Sequence, residues 1–568
     1  MSSNRSTPTA SVLPALSWLG PFQHAGFTAL WIATIVSNIG GWMSATATGW
    51  LKTGLSPGPF VVSLVQVATT LPMFLLAIPA GAMTDIIDHR RLLVGTEIAI
   101  TVISAAFALI VSLGIATAGN LLLFAFLSAA VSALQAPAWQ AVVPQLVPAQ
   151  SLQGAIAANS VSINISRAVG PALGGVILAN FSLAVPFWVN AGSFLVMVGV
   201  LLCWRPPQRA RRHLPVEQFG SALRTGFRHA RNNPHLQATI IRGSALLLFA
   251  TSYWALLPLI AREQIAGGPE LFGIIVALIG ASAVGGAFAL RWLESKLGPD
   301  WLVAAGTIGT VIAMVLFAVA RGPTMAVLAS VVAGAARTLA LATLNVSAQL
   351  ALPDWVRGRG LAMFVAASSG AMAVGSAIWG LVADMVGLQT AQFIAAVGAL
   401  AAVPLTRRWK LQAGADVDYT PSMHWPEPIM THEVKRDRGP VLVTVEYRID
   451  PRDRERFLAA IDELGYERRR NGAYGWGVFE DSANEGRMVE TFLVESWLEH
   501  LRQRERATRV DRALQEKIFA EKVSGVVTER KALVRAISAL GQGDVLRVTR
   551  LDRLARSTST SRVWGVFI

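Results

Sequence analysis

The chain holds one cysteine, Cys203, in 568 residues, so no disulfide can close within it. Charge is scarce as well. Charged residues make up 15% of the sequence, against about 25% in an average soluble domain. The shortage is uneven: residues 1–410 hold 10 acids and 23 bases, and residues 411–568 hold 25 acids and 26 bases. That split argues against a soluble fold for the first stretch and for one in the second. The glycine-rich G-x-x-x-x-G-K-[ST] phosphate loop is missing, so ATP is not expected to drive the protein. The eight histidines show no ligand spacing, and neither a metal nor a cofactor is expected. The net charge of +14 is carried by bases lying between apolar segments. Membrane topology accounts for that pattern, and no nucleic-acid partner is expected.

What the sequence does contain is apolar runs of membrane length. About 20 apolar residues cross a bilayer as a helix. Twelve such runs read as spans, at 27–50, 59–82, 92–113, 120–143, 154–179, 183–203, 238–261, 271–293, 301–320, 324–350, 361–384 and 389–406. With the N-terminus inside, 17 lysines and arginines fall in inner segments and three in outer loops, which places both termini in the cytoplasm. The fold class read from this pattern is an α-helical multi-pass membrane protein in a plasma or bacterial inner membrane. The opening residues have too short an apolar core for a secretory signal and read as a cytoplasmic tail, 1–26.

The stretch 135–175 is the most informative. Two apolar segments flank a turn at 143–153, which is rich in proline and glutamine, so two helices enter and leave one face. The second carries Arg167 and then Gly170, Pro171, Gly174 and Gly175. A charge at bilayer depth is costly and persists mostly where it faces a bundle interior or a watery cavity. Small residues let another helix approach closely.

A longer basic loop, 204–237, interrupts the runs after the sixth and divides them into halves 27–203 and 238–410. A weak repeat at an offset of 205 relates Val147-Pro148 to Leu352-Pro353, Ala168-Val169-Gly170 to Ala373-Val374-Gly375, Ala172 to Ala377 and Gly175 to Gly380. Two parallel halves related by an axis along the membrane normal would give such a repeat. Beyond a proline-containing linker, 411–440, a strand is expected at 441–449 and a helix at 451–465 with Asp450 as its cap. A hairpin at 473–481 and 487–495 and a charged helix from Ser496 to Ala513 follow. That order is the start of a small cytoplasmic α+β ferredoxin-like unit, 441–518.

Residues 27–410 resemble the major facilitator superfamily, and 27–516 resemble its transmembrane secretion effector branch. The likeness rests on SNIGGWM (37–43), TTLPMFLLAIPAGAMTDIIDHRRLL (69–93), APAWQAVVPQLVP (136–148), RAVGPALGG (167–175) and VETFLVESWLEHLRQRERATRVDRAL (489–514). It implies a major facilitator fold of twelve transmembrane helices in two six-helix halves. It also implies export of a lipophilic or siderophore-like small molecule by proton antiport through alternating access. Gly81, Asp85, Arg90 and Arg91 match the superfamily's loop pattern, which implies a conformational latch. Ile86 stands where that pattern has a base, and Asp88 where it often has glycine. The run Gly170, Pro171, Gly174, Gly175 resembles the antiport signature.

The candidate cavity or coupling residues are Asn38, Trp42, Glu97, Gln135, Trp139, Gln140, Arg167 and Arg337, with Asn159, Asn164, Tyr253, Trp254 and Asn345 on helices that the resemblance puts around the cavity. Arg167 and Arg337 either take an anionic or acceptor-rich substrate or tie helices together through backbone carbonyls. Glu97 either carries a proton in a low-dielectric site or pairs with Arg90 or Arg91. The expected partners are a small-molecule substrate, protons and the bilayer, with self-association through the soluble unit as a further one. The soluble unit resembles small dimeric monooxygenase-like domains and reads as regulatory or dimerising; no enzyme activity is expected. The alternative is a membrane-tethered signalling or monooxygenase-like protein whose soluble unit is the working part. Finally, 519–568 resembles an internal segment of serine recombinases, including D-R-L-A-R-S at 552–557, without the nucleophilic-serine segment. It reads as a fusion or frameshift scar.

Overall fold

The structure is a computed structural model, and it describes residues 20–55, 58–204, 219–294, 296–412, 439–484 and 486–506. It divides into two compact units. One comprises 1–216, 235–351 and 361–413; the other comprises 217–234, 352–360 and 414–568. The recombinase-like stretch 519–568 and the linker 413–438 lie outside the described residues.

The first unit is a helix bundle. Its first half is built from α1 (Ala25–Leu55), α2 (Pro59–Ile86), α3 (His89–Ser112), α4 (Ala118–Val142), α5 (Leu152–Asn180) and α6 (Val185–Cys203). A short helix, α7 (Phe219–Arg231), precedes the second half in the sequence and belongs to the second unit. That half is α8 (Pro234–Leu259), α9 (Pro269–Glu294), α10 (Pro299–Val319), α11 (Pro323–Leu350), α12 (Asp354–Val386) and α13 (Leu388–Thr406). Among the described residues, eleven helices are long and apolar enough to cross a membrane. The twelfth expected run lies within α1, which has the length but is diluted by Ser37, Asn38, Ser44 and Thr46.

Side-chain distribution follows the bilayer. Large apolar residues such as Val102, Leu113, Phe288, Met385 and Val397 are exposed, while Ala47, Ser166, Ala329, Ser330 and Ala333 are buried. Lipid is as apolar as leucine, so helices gain by close approach of small residues instead of by hiding large ones. Prolines inside α2 (Pro72, Pro79), α4 (Pro137), α5 (Pro171) and α8 (Pro258) interrupt the hydrogen-bond ladder. Just beyond Pro258, residues Ile260–Gln264 form a π-helical turn. There Gln264 Nε2 donates to the carbonyls of Phe317 (2.7 Å), Ala318 (3.1 Å) and Ala320 (2.7 Å), the otherwise open end of α10. Two 3₁₀ turns, Val143–Gln145 and Ala149–Ser151, make the connection from α4 to α5.

The second unit contains an antiparallel three-stranded sheet, β1 (Val441–Arg448), β2 (Tyr474–Glu480) and β3 (Arg487–Val494), in the order β1-β3-β2. Alternate residues of β3, Met488, Glu490, Phe492 and Val494, are buried, as period-2 geometry requires. Helix α14 (Arg454–Arg470) covers the sheet with Phe457, Ile461 and Leu464, which cluster with Tyr447 and Met488. Asp450 Oδ1 accepts from Arg452 N at 3.0 Å and caps the turn into α14. Helix α15 (Trp497–Arg506) follows β3.

The sequence reads 204–237 as a longer basic loop, and the structure forms helix α7 within it. Among the residues whose burial is described, Gly226, His229, Ala230 and, just beyond its end, Asn233 are buried, spaced as one helical face. These are small or polar, and Phe227 is exposed.

Candidate functional site

Helix α5 is gripped from both sides. On one side, a Cβ added to Gly170 would lie 2.5 Å from Trp42 Cβ and 3.1 Å from Ile39 O, and one on Gly174 would lie 3.2 Å from Met43 Cα, all on α1. On the other side, a Cβ on Gly175 would lie 2.8 Å from Pro269 O and 3.0 Å from Gly273 Cα, at the start of α9. The four motif residues, Gly170, Pro171, Gly174 and Gly175, therefore let α5 touch its own half through α1 and the other half through α9.

The repeat reproduces this arrangement. A Cβ on Gly375 of α12 would strike Leu248 O of α8, and one on Gly380 would come 3.2 Å from Phe60 Cα and strike Ser63 of α2. Gly170 and Gly375 thus pack within a half, and Gly175 and Gly380 pack across to the other. Close backbone approach explains why the offset-205 repeat survives at small residues.

The halves also meet near the connection from α1 to α2. Lys52 Nζ donates to Ala255 O at 3.2 Å, and Arg262 Nη1 donates to Thr53 Oγ1 at 3.0 Å. The Arg262 guanidinium lies 5.7 Å from the Trp50 ring centroid. A Cβ on Gly49 would lie 2.9 Å from the Phe272 ring. Sequence reading counts Lys52 and Arg262 as loop charges; Lys52 is buried.

Near the midpoints of α5 and α11, Arg167 lies over Trp42 at 5.6 Å and Arg337 over Trp254 at 4.9 Å. Of the two alternatives for these arginines, tying to backbone carbonyls is not what the described contacts contain. Glu97 is buried and accepts a hydrogen bond from Gln135 Nε2, joining α3 to α4. It does not pair with Arg90, whose Nε and Nη2 donate to Leu201 O (3.0 Å) and Leu202 O (2.5 Å) at the end of α6. Arg90 thereby satisfies terminal carbonyls, a helix C-cap. Arg91 is exposed, and its backbone N–H donates to Asp88 Oδ1 at 3.0 Å, so Asp88 caps α3.

Gly81 and Asp85 lie within α2, and their side-chain surroundings are outside the described residues. Asn38 and Trp139 are half-buried, and Gln140 is exposed. Asn164 and Asn345 bond one turn back along their own helices, to Ser160 O (2.9 Å) and Leu341 O (2.8 Å). Tyr253 is buried and stacks on Phe317 at 5.6 Å, a packing role. Sequence reading missed the network at Asp300, which pairs with Arg242, receives Leu411 N at 3.2 Å and lies 3.8 Å from Lys410 Nζ. Among the described residues, no group of three or more His, Cys, Asp or Glu could hold a metal.

These features define a multi-pass α-helical membrane protein built from two related six-helix halves. Residues 16–537 match the family described as transmembrane secretion effector, and the chain belongs to that family. It is 28% identical over 269 residues to the staphyloferrin A transporter of Staphylococcus aureus (strain NCTC 8325 / PS 47), covering 46% of this chain and 64% of that protein. It is 25% identical over 244 residues to the enterobactin exporter of Salmonella choleraesuis (strain SC-B67), covering 42% and 57%. The chain thus spans under two thirds of the length of these relatives. The fold is similar to that of a solved bacterial homolog of the human lysosomal transporter Spinster, inward-facing and unoccupied. That likeness has a TM-score of 0.56 and 15% identity, over 68% of this chain and 97% of the other.

Proposed function

We propose that this protein is a secondary active exporter of a siderophore-like or lipophilic small molecule, with protons moving inward as the cargo moves out. It works by alternating access in a plasma or bacterial inner membrane, twelve helices in two halves and both termini in the cytoplasm. In that orientation the α1–α2 connection faces outward, and the contacts of Lys52, Arg262, Gly49 and Gly175 close the outer end.

The observation that carries this reading is the matched pair of glycine crossings between the halves, Gly175 against Pro269 and Gly273, and Gly380 against Phe60 and Ser63. Contacts made by glycine, with no interlocking side chains, can part and re-form as rigid halves rock. The names of the relatives, a staphyloferrin A transporter and an enterobactin exporter, support a siderophore-like cargo. Gly81, Asp85, Arg90 and Arg91 act as the latch of one conformation, and Glu97 with Gln135 as a proton-carrying pair. The sheet unit is a cytoplasmic ferredoxin-like domain with a regulatory or dimerising role.

The test uses inside-out membrane vesicles with an imposed gradient, acid inside. Adding siderophores or lipophilic drugs should dissipate the gradient in a protein-dependent way, and Asp85→Asn should abolish the response. Full dissipation by the folded Asp85→Asn variant would overturn the latch. No dissipation by any of these compounds would overturn proton antiport.

A further inference from the structure

Two positive charges sit midway along membrane-length helices with no counter-charge among the described residues. Arg167 is near the midpoint of α5 and Arg337 near the midpoint of α11, one in each half. Both flank the same turn of α9: a Cβ on Gly280 would strike Arg167, and one on Gly334, a turn before Arg337, would strike Ile279 and Ser282. Neither has an ion pair or a hydrogen bond among the described residues, and Arg167 Nε is buried with none. The described acids nearby are engaged or distant: Glu97 holds Gln135, Asp300 holds Arg242, and Asp384 lies beside Gly58 at the bundle's end.

Two guanidiniums in this position repel each other and are costly to bury. An arginine cannot escape by losing its proton. Each instead lies over an indole, Trp42 or Trp254. An aromatic ring stabilises a cation through its face and leaves the edge N–H groups of the guanidinium free for a ligand. The stem of Arg167 is also held in place. A Cβ on Gly280 of α9 would lie 2.6 Å from Arg167 O and 2.7 Å from its Cγ. With Gly170 admitting Trp42 from α1, the arginine is clamped between two helices.

We infer that Arg167 and Arg337 form a two-point anion site that takes a substrate with two or more anionic oxygen groups, such as carboxylates, on an aromatic or apolar body. This rests on the exporter reading for what becomes of the ligand, while the binding itself does not. Guanidinium forks match carboxylates in a bidentate way, and the two indoles supply flat apolar walls. A dianion would bridge one arginine of each half and cancel the repulsion between them. Ligand charge would then shift the balance between conformations, since a ligand acts only through its differential affinity for the two states. Lipophilic cations would be rejected.

The experiment is calorimetric titration of the purified full-length protein with three probes: naphthalene-2,6-dicarboxylate, naphthalene-2-carboxylate and tetraphenylphosphonium. The dicarboxylate should bind at least about tenfold tighter than the monocarboxylate, and Arg167→Gln and Arg337→Gln should each weaken it by about tenfold or more. Arg167→Lys, which keeps the charge and loses the fork, should fall between. If the glutamine variants do not fold, the ratio between the probes on the unaltered protein decides. A dicarboxylate that binds no tighter than the monocarboxylate, or tetraphenylphosphonium binding tightest, would overturn the site. So would affinity unchanged in both folded variants. Export of a cation without dicarboxylate binding would overturn the site and leave the exporter reading. Arginine-dependent binding without any transport would do the reverse.

Discussion

Arg228 Nη2 lies 3.0 Å from Glu495 Oε1, tying helix α7 to the end of strand β3. The same guanidinium donates to Gly472 O at 2.9 Å and lies 4.9 Å from the Tyr474 ring centroid. Arg224 Nε adds a second contact to Glu495 at 3.1 Å, although its side chain is 65% exposed and water screens much of that pair. Arg228→Ala should destabilise the α7–sheet contact by about 1–3 kcal/mol. Limited trypsin digestion of the full chain reads this as faster cleavage at Arg224 and Arg231. Arg224→Ala should change the cleavage rate at Arg231 little. Equal effects of the two variants would mean that Arg228 is not the anchor.

Gly175→Ala should strain the α5–α9 crossing, because the added methyl would meet backbone atoms, Pro269 O and Gly273 Cα, and not a flexible side chain. Overpacking of this kind costs about 1–3 kcal/mol. It should favour the conformation in which the two helices separate. Maleimide labelling of Gly58→Cys in a Cys203→Ser background measures that opening. Gly95→Ala, with nothing within 4 Å of its added methyl, is the control and should label like the parent.

Glu97→Gln should leave the fold intact, since an amide can still bond Gln135, and should remove the dependence of export on the proton gradient. Gln135→Leu should cost about 1–3 kcal/mol, because it takes the donor from a buried carboxyl group. Gradient-driven transport in vesicles separates the two effects. Proton-dependent export that persists in Glu97→Gln would assign coupling to another group.

The acid sensitivity of the sheet unit should come in part from His500. Burial, and then the Arg468 charge, hold its ring below the usual value of 6.5. The unfolded chain therefore takes up this proton before the folded one does. The stability contributed by His500 is complete above pH about 6.5 and falls away as pH drops below it. The opening constant over Trp497–Arg506, the exchange rate taken relative to the intrinsic amide rate, should rise as pH drops from 7.5 to 5.5, and His500→Phe should flatten that rise. An unchanged rise would place the acid sensitivity elsewhere.

Much of the bundle is legible in the sequence because bilayer length and apolarity act on contiguous residues. The runs at 59–82, 154–179 and 271–293 fall inside α2, α5 and α9. The offset-205 repeat is legible too, but its meaning needs coordinates: Gly175 and Gly380 are small because each meets the opposite half. Arg90 looks like a latch charge and caps α6, a pairing set by distant carbonyls that no local pattern encodes. The stacking of Arg167 on Trp42 joins residues from two helices far apart in the chain, so spacing cannot reveal it.

The most direct test of alternating access locks the two halves together. Thr53 and Arg262, whose side chains bond at 3.0 Å, join α1 to the turn that follows α8. In a Cys203→Ser background, Thr53→Cys with Arg262→Cys should cross-link with a short bifunctional thiol reagent at rest. Export should stop when the cross-link forms and return when a cleavable linker is reduced. Export at the unlinked rate with the halves joined would contradict the account.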